Sequence, residues 1–274
     1  MGLVEIIVLA LVQGLTEFLP ISSDGHLVLA SAVLESLGYP PPPDLLAVSI
    51  VLHMGTLLSI LVFFRREVWQ LLGRDRRLIP LLIVGTIPAV VVGLPLKFYA
   101  EDMLESVLLA GFMFPVTGAM LIWGSSHAQG RTSYHDLGYA AAIKIGVLQS
   151  LALLPGVSRS GSTISGSLAC GLDRESAGTF AFLLGIPAIA GAGALELAQL
   201  IYEHMSATSA GAASPVTAAA SPVSLAVGAL VAMIVGLFAL AWLIRWVRQG
   251  RLALFAWYLF PLGAAVVGWQ LMRP

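Results

Sequence analysis

The sequence predicts an all-α polytopic membrane protein, built as an inverted-topology repeat with two re-entrant helix hairpins. Three observations lead there. First, the 274 residues are 58% hydrophobic and only 11% charged, with a mean hydropathy of +0.92, whereas a soluble domain has about a quarter of its residues charged. Second, two apolar segments, 26–37 and 163–171, fall short of the roughly twenty residues a helix needs to cross the hydrocarbon core, and each follows a polar break containing Pro and Gly. Third, the distribution of Lys and Arg between loops closes only if two hairpins enter from opposite faces.

Taken in chain order, apolar stretches run over 2–19, 26–37, 45–64, 78–96, 107–123, 137–154, 163–171, 176–201, 223–246 and 252–271. Arg65, Arg66, Arg74, Arg76 and Arg77 crowd one loop, and Arg245, Arg248 and Arg251 another. Cytoplasmic loops carry the excess of Lys and Arg, so both lie inside. That places 97–106 outside, where Lys97 stands against Glu101, Asp102 and Glu105, and also 202–222, a Ser/Ala/Pro tract that reads as a flexible loop. Residues 2–37 must then enter from the outer face and return to it, and 137–171 do the same from the cytoplasmic face. The chain forms one transmembrane domain over 1–274, its first repeat covering about 1–123 and its second about 137–272. The echo of "QGLTEFLPISSDG" (13–25) in "QSLALLPGVSRSG" (149–161), and of "TIPAVVVG" (86–93) in "GIPAIAGAG" (185–193), supports a duplication. Such folds place their site near the midplane where the repeats meet.

Several function classes drop out. Net charge is −1 with no basic patch, which argues against nucleic acid, and the single Cys170 excludes a disulfide framework or cysteine metal site within one chain. The first twelve residues hold Glu5 and no Lys or Arg, unlike the n-region of a cleavable signal peptide.

Charge inside a bilayer costs about 2.5–3.5 kcal/mol per residue on insertion scales and so marks function. Glu17, Asp24, His26 and Arg159 all fall in the two breaks. Gln13 and Glu17 are four apart and share a helical face. Pro20 stops that helix, and Ser23 or Asp24 is expected to cap the next, with His26 in its first turn. In the second break Pro155-Gly156 ends a helix and "VSRSGST" (157–163) opens another. Backbone N–H groups, the hydroxyls of Ser158, Ser160 and Thr163, the amide of Gly161 and the Arg159 guanidinium would form a cradle for phosphate there. Together the breaks offer Arg159 to hold charge, Ser22, Ser23 or His26 as binding, nucleophilic or acid/base groups, and Glu17 with Gln13 for a divalent cation. Lys144 reads as a snorkelling lysine near the boundary. His53 reads first as a packing residue, though the site is within its reach. Pro88 and Pro187 read as kinks, and the GxG at 191–193 as close helix packing.

"QGLTEFLPISSDGH" and "LPGVSRSGST" resemble the two motifs of the undecaprenyl-diphosphatase, or bacitracin-resistance, family. Gln13 and Glu17 match a (Glu/Gln)-x-x-x-Glu pattern, Ser22, Ser23, Gly25 and His26 a Ser-Ser-x-Gly-His, and 155–161 a Pro-Gly-x-Ser-Arg-Ser-Gly followed by Thr163. The resemblance implies an inner-membrane enzyme that removes the terminal phosphate of undecaprenyl diphosphate, needs a divalent cation such as Mg or Ca, and opens its site to the periplasm. Catalysis would fall to Glu17, Ser23, His26 and Arg159, substrate binding to Ser22, Ser158, Ser160, Gly161 and Thr163, and metal binding to Glu17 and Gln13. Asp24 stands where the family more often has Ser or Thr, and reads as a helix cap ahead of an extra metal ligand. Partners would be the polyprenyl diphosphate lipid and the bilayer, with monomer and homodimer both open. Inverted repeats with broken helices also build transporters, so a polyprenyl-phosphate flippase is the rival reading.

Overall fold

The computed structural model describes residues 2–38, 45–209 and 221–272. Among the described residues the chain forms twelve α-helices and two short 3₁₀ turns. The helices are α1 (Leu3–Thr16), α2 (Ser23–Ser36), α3 (Leu45–Phe63), α4 (Arg65–Leu71), α5 (Leu78–Tyr99), α6 (Glu101–Leu104), α7 (Val107–Ser126), α8 (Tyr139–Leu151), α9 (Arg159–Ala169), α10 (Arg174–Ser209), α11 (Pro222–Arg248) and α12 (Ala256–Met272). Five are long and apolar enough to cross a membrane, and α3 with α4, bent by 81° at their junction, makes a sixth candidate. The tract expected to be a loop from 202 is helical as far as Ser209; residues 210–220 lie outside the described residues.

Lipid tails are as apolar as leucine, so helices in a membrane associate through close packing rather than through burial of grease. Small residues make that packing available. A Cβ on Gly14 of α1 would strike the Ala232 carbonyl of α11, one on Gly146 of α8 would strike the Gly85 carbonyl of α5, and one on Gly124 of α7 would strike Ser165 of α9. Accordingly α1 packs on α11, α8 on α5, and α7 on α9 and α12. Phe18, Phe64 and Phe182 meet ring to ring at 5.9 Å and anchor the centre. Large apolar side chains such as Val91, Phe238 and Trp257 are left exposed on the outside, where tails would cover them.

Pro88 and Pro187, read as kinks, lie inside α5 and α10. One detail differs from expectation. Of the two glycines at 191–193, only Gly193 is a packing glycine, its face taken by Met54 of α3; Gly191 has open space beside it and lines a cavity.

Candidate active site

The two short hairpins, α1–α2 and α8–α9, bring their breaks together tip to tip. Ser22 is the hinge of the contact. It holds φ at +73°, the one described non-glycine residue with positive φ, a conformation that costs on the order of 1–3 kcal/mol and persists only when the surroundings over-determine it. Its Oγ accepts from its own helix at Gly25 N, 3.3 Å, and from the other break at Gly156 N, 3.0 Å. Ser22, rather than Ser23 or Asp24, is therefore the N-cap of α2. Gly156, at φ +91°, is required twice over, because a Cβ there would also strike the Ala110 carbonyl. Thr117 of α7 clamps the second break from the side, donating to the Gly156 carbonyl at 2.7 Å and accepting from Ser158 N at 3.0 Å.

Across this junction Arg159 Nη2 donates to Glu17 Oε1 at 2.6 Å, joining residues 142 apart in sequence. Glu17, only 6% exposed, is the hub of the site. Its other oxygen accepts from Ser23 Oγ at 2.8 Å and from Gln13 Nε2 at 3.1 Å. His53 Nε2 of α3 approaches the same oxygen at 3.5 Å and Asp24 Oδ1 at 3.8 Å, while its Nδ1 lies 2.9 Å from the Ser49 carbonyl. His53 thus belongs to the site, which corrects the packing reading. Asp24 does not cap; it faces His53.

A cavity of about 560 Å³ opens over this cluster. Glu17, Ser22, Ser23, Asp24, Ser158 and Arg159 line it, together with His53, Gln149, Lys97 and Glu196. Its remaining wall is largely apolar, including Leu27, Val90, Leu94, Leu153, Ile189 and Leu195.

The other expected residues stand elsewhere. Gln13 is fully buried behind Glu17 and braces it. Ser160, Gly161 and Thr163 are buried in the protein's own bonding: Ser160 Oγ donates to the Leu19 carbonyl, Gly161 N to Ser158 Oγ, and Thr163 Oγ1 to the Arg159 carbonyl. They hold the two breaks in register and do not line the cavity, so these hydroxyls and the Gly161 amide are spent internally. His26 turns away from the cavity: Nδ1 is 2.7 Å from the Ser22 carbonyl, Nε2 is 2.8 Å from the Tyr258 hydroxyl, and the ring lies against Phe114 and Tyr258. Lys144, at the exposed face of α8, takes no part. His53, Thr117 and Gln149 carry no motif that marks them, apart from the place of Gln149 at the head of the repeated "QSLALLPG".

The oxygens around Glu17 suit a hard divalent cation. Glu17, Asp24 and Ser23 present oxygen donors, and the buried Gln13 Oε1 has no hydrogen-bond partner among the described residues. No group of three or more His, Cys, Asp or Glu among the described residues could hold a metal alone. An ion of the Mg²⁺ kind takes one or two carboxylates and completes its shell with phosphate oxygens and water, so Glu17 and Asp24 are the residues that could hold one.

A family model described as "Bacitracin resistance protein BacA" matches residues 6–265. The chain is 46% identical over 265 residues to an "Undecaprenyl-diphosphatase" of Rhodopirellula baltica, the match covering 97% of each chain. It is 38% identical over 273 residues, 98% of each chain, to "Undecaprenyl-diphosphatase 4" of Bacillus thuringiensis strain Al Hakam. It is also 36% identical over 264 residues to an "Undecaprenyl-diphosphatase" of Carboxydothermus hydrogenoformans, across 96% of this chain and 95% of the relative. With a family match along nearly its whole length, and a site assembled from the two polar breaks that carry the family's motifs, this chain belongs to the BacA bacitracin-resistance family.

Proposed function

We propose that this protein is an integral-membrane phosphatase that hydrolyses undecaprenyl diphosphate to undecaprenyl phosphate and inorganic phosphate, recycling the carrier lipid for peptidoglycan synthesis. One observation carries the reading: a guanidinium, a carboxylate and a hydroxyl are joined within hydrogen-bond reach at the floor of a cavity whose wall is otherwise mostly apolar. The relatives' printed names point to the same substrate.

The geometry supports the following roles. Arg159 holds the terminal phosphate. Ser23 Oγ is the nucleophile, because its proton already points to Glu17 Oε2, the arrangement of an activated hydroxyl. As the Oγ–P bond forms, the proton passes to Glu17 and the bridging P–O bond breaks, with prenyl phosphate leaving. Water then attacks the phosphoserine phosphorus, the Oγ–P bond breaks as Glu17 returns its proton to Ser23 Oγ, and the phosphate departs with the protons of the water. Gln13 and His53 hold Glu17 in place. A divalent cation held by Glu17, Asp24 and Gln13 would neutralise charge on the diphosphate. His26 acts on α2 through Tyr258 and has no part in the proton path. The apolar wall takes the first isoprene units.

The inverted repeat is part of the proposal. The pairing of α1 with α11 and of α8 with α5 supports it, since these are equivalent contacts if the halves are related by a two-fold axis. A place in the inner membrane with the site opening to the periplasm is also part of the proposal, supported by the reach of the cavity to Lys97, Leu104 and Glu105, at the end away from the arginine-rich loops. Purified protein with added Mg²⁺ or Ca²⁺ should release phosphate from a long-chain prenyl diphosphate. No release, together with movement of the intact lipid across sealed vesicles, would leave the flippase reading instead.

A further inference from the structure

Lys97 of α5 lines the same cavity as Arg159, yet its Nζ is shut away from solvent and has no hydrogen-bond partner among the described residues. An ammonium has three donors and is costly to leave unmatched. It sits at the far end of a stripe of α5 residues facing the cavity: Thr86, Ala89, Val90, Gly93, Leu94 and Lys97. At 1.5 Å per residue, that stripe runs about 16 Å along the helix axis. Its inner end lies one residue from Gly85, which packs on Leu184, next to the Gly185 against which the Arg159 guanidinium rests. Its outer end meets Leu104 and Glu105 at the outer loop.

Charge along this path is unfavourable for a phosphate. Glu17, Asp24, Glu105 and Glu196 line the cavity, against Arg159 and Lys97 as the lysine and arginine side chains. Lys97 is therefore the first strong cation an anionic headgroup meets on the way from the outer interface to Arg159, and the last that a released phosphate passes. Glu196, close enough to interact with both Lys97 and His53, links this outer position to the reacting cluster. A lysine that only anchored the helix at the interface would extend its head into water; this one is withdrawn into the wall.

We infer that Lys97 is a phosphate-docking residue at the cavity mouth, distinct from the reacting cluster. Its flexible stem turns the ammonium into the cavity to receive a phosphate monoanion or dianion, from the lipid diphosphate entering or from inorganic phosphate leaving. The inference rests on the phosphatase reading, and wild-type phosphate release tests that reading separately.

The experiment compares Lys97→Met and Lys97→Arg with wild type at fixed excess Mg²⁺, reading kcat and KM for a prenyl diphosphate and the inhibition constant of inorganic phosphate. Lys97→Met should raise KM about tenfold, the loss of one charge-assisted bond, with kcat within about twofold, and Lys97→Arg should restore KM. A rise in KM identifies the entering lipid headgroup as the docked species; a weakened inhibition by inorganic phosphate, with KM unchanged, identifies the leaving phosphate. Either supports docking. Unchanged values of both in Lys97→Met would overturn it. So would an equal loss of kcat and folding in both variants, which would make Lys97 a structural residue.

Discussion

A Glu17→Gln substitution keeps the size of the side chain and removes one of the two oxygens on which three donors converge. Arg159 Nη2 lies 2.6 Å from Oε1, and Ser23 Oγ and Gln13 Nε2 lie 2.8 and 3.1 Å from Oε2. An amide offers one oxygen and turns the other position into a donor, so Gln13 Nε2 and the new NH₂ face each other unless the cluster rearranges. Each hydrogen bond to a charged group contributes about 1.5–3 kcal/mol, and breaking a buried ion pair by neutralising one partner costs about 3–5 kcal/mol. Glutamine also has no site to take the Ser23 proton, and losing a positioned base costs about 10²–10⁴ in rate. The expected result is a fall in kcat of about 10²–10⁴, measured as phosphate release from a prenyl diphosphate in detergent. Arg159→Gln should fall comparably. Because the two act as one unit, the double variant should lose little more than the worse single variant. Glu17→Gln retaining more than about a tenth of wild-type kcat, or losses that simply multiply in the double variant, would refute the shared site.

Ser23→Ala should abolish phosphate release to the level of Glu17→Gln and leave no phosphorylated protein on acid quenching, whereas wild type should show a phosphoserine at that position. Gly156→Ala should inactivate the enzyme without touching any reacting group, because a Cβ at φ +91° collides with the Ala110 carbonyl and parts the two breaks; normal activity in that variant would count against the tip-to-tip contact. Tyr258→Phe removes the partner of His26 Nε2 and should lower thermal stability by about 1 kcal/mol with kcat within about twofold. A loss in Tyr258→Phe as deep as in Ser23→Ala would instead place His26 in the proton path.

The class of the protein and the two polar breaks that meet at the cavity were legible from residue types alone. Apolar content identifies the solvent as lipid, and in lipid a charged or broken segment is costly enough that "TEFLPISSDGH" and "LPGVSRSG" stand out against their surroundings. Loop arginines give an expected orientation because that bias is a property of composition. What the linear pattern could not supply was direction. A helix advances about 100° per residue, so starting α2 at a Ser22 cap rather than one or two residues later changes which side chains face the cavity. Ser22 adopts that position because its hydroxyl binds Gly156 N, 134 residues away, a partner that exists only once the hairpins meet. Hence His26, inside the motif, faces Tyr258, while His53, in an unremarkable apolar helix, reaches Glu17. Residue type and spacing set the ingredients and their two addresses. Which of them touch, and which merely hold the others, was decided by the packing of one break against the other.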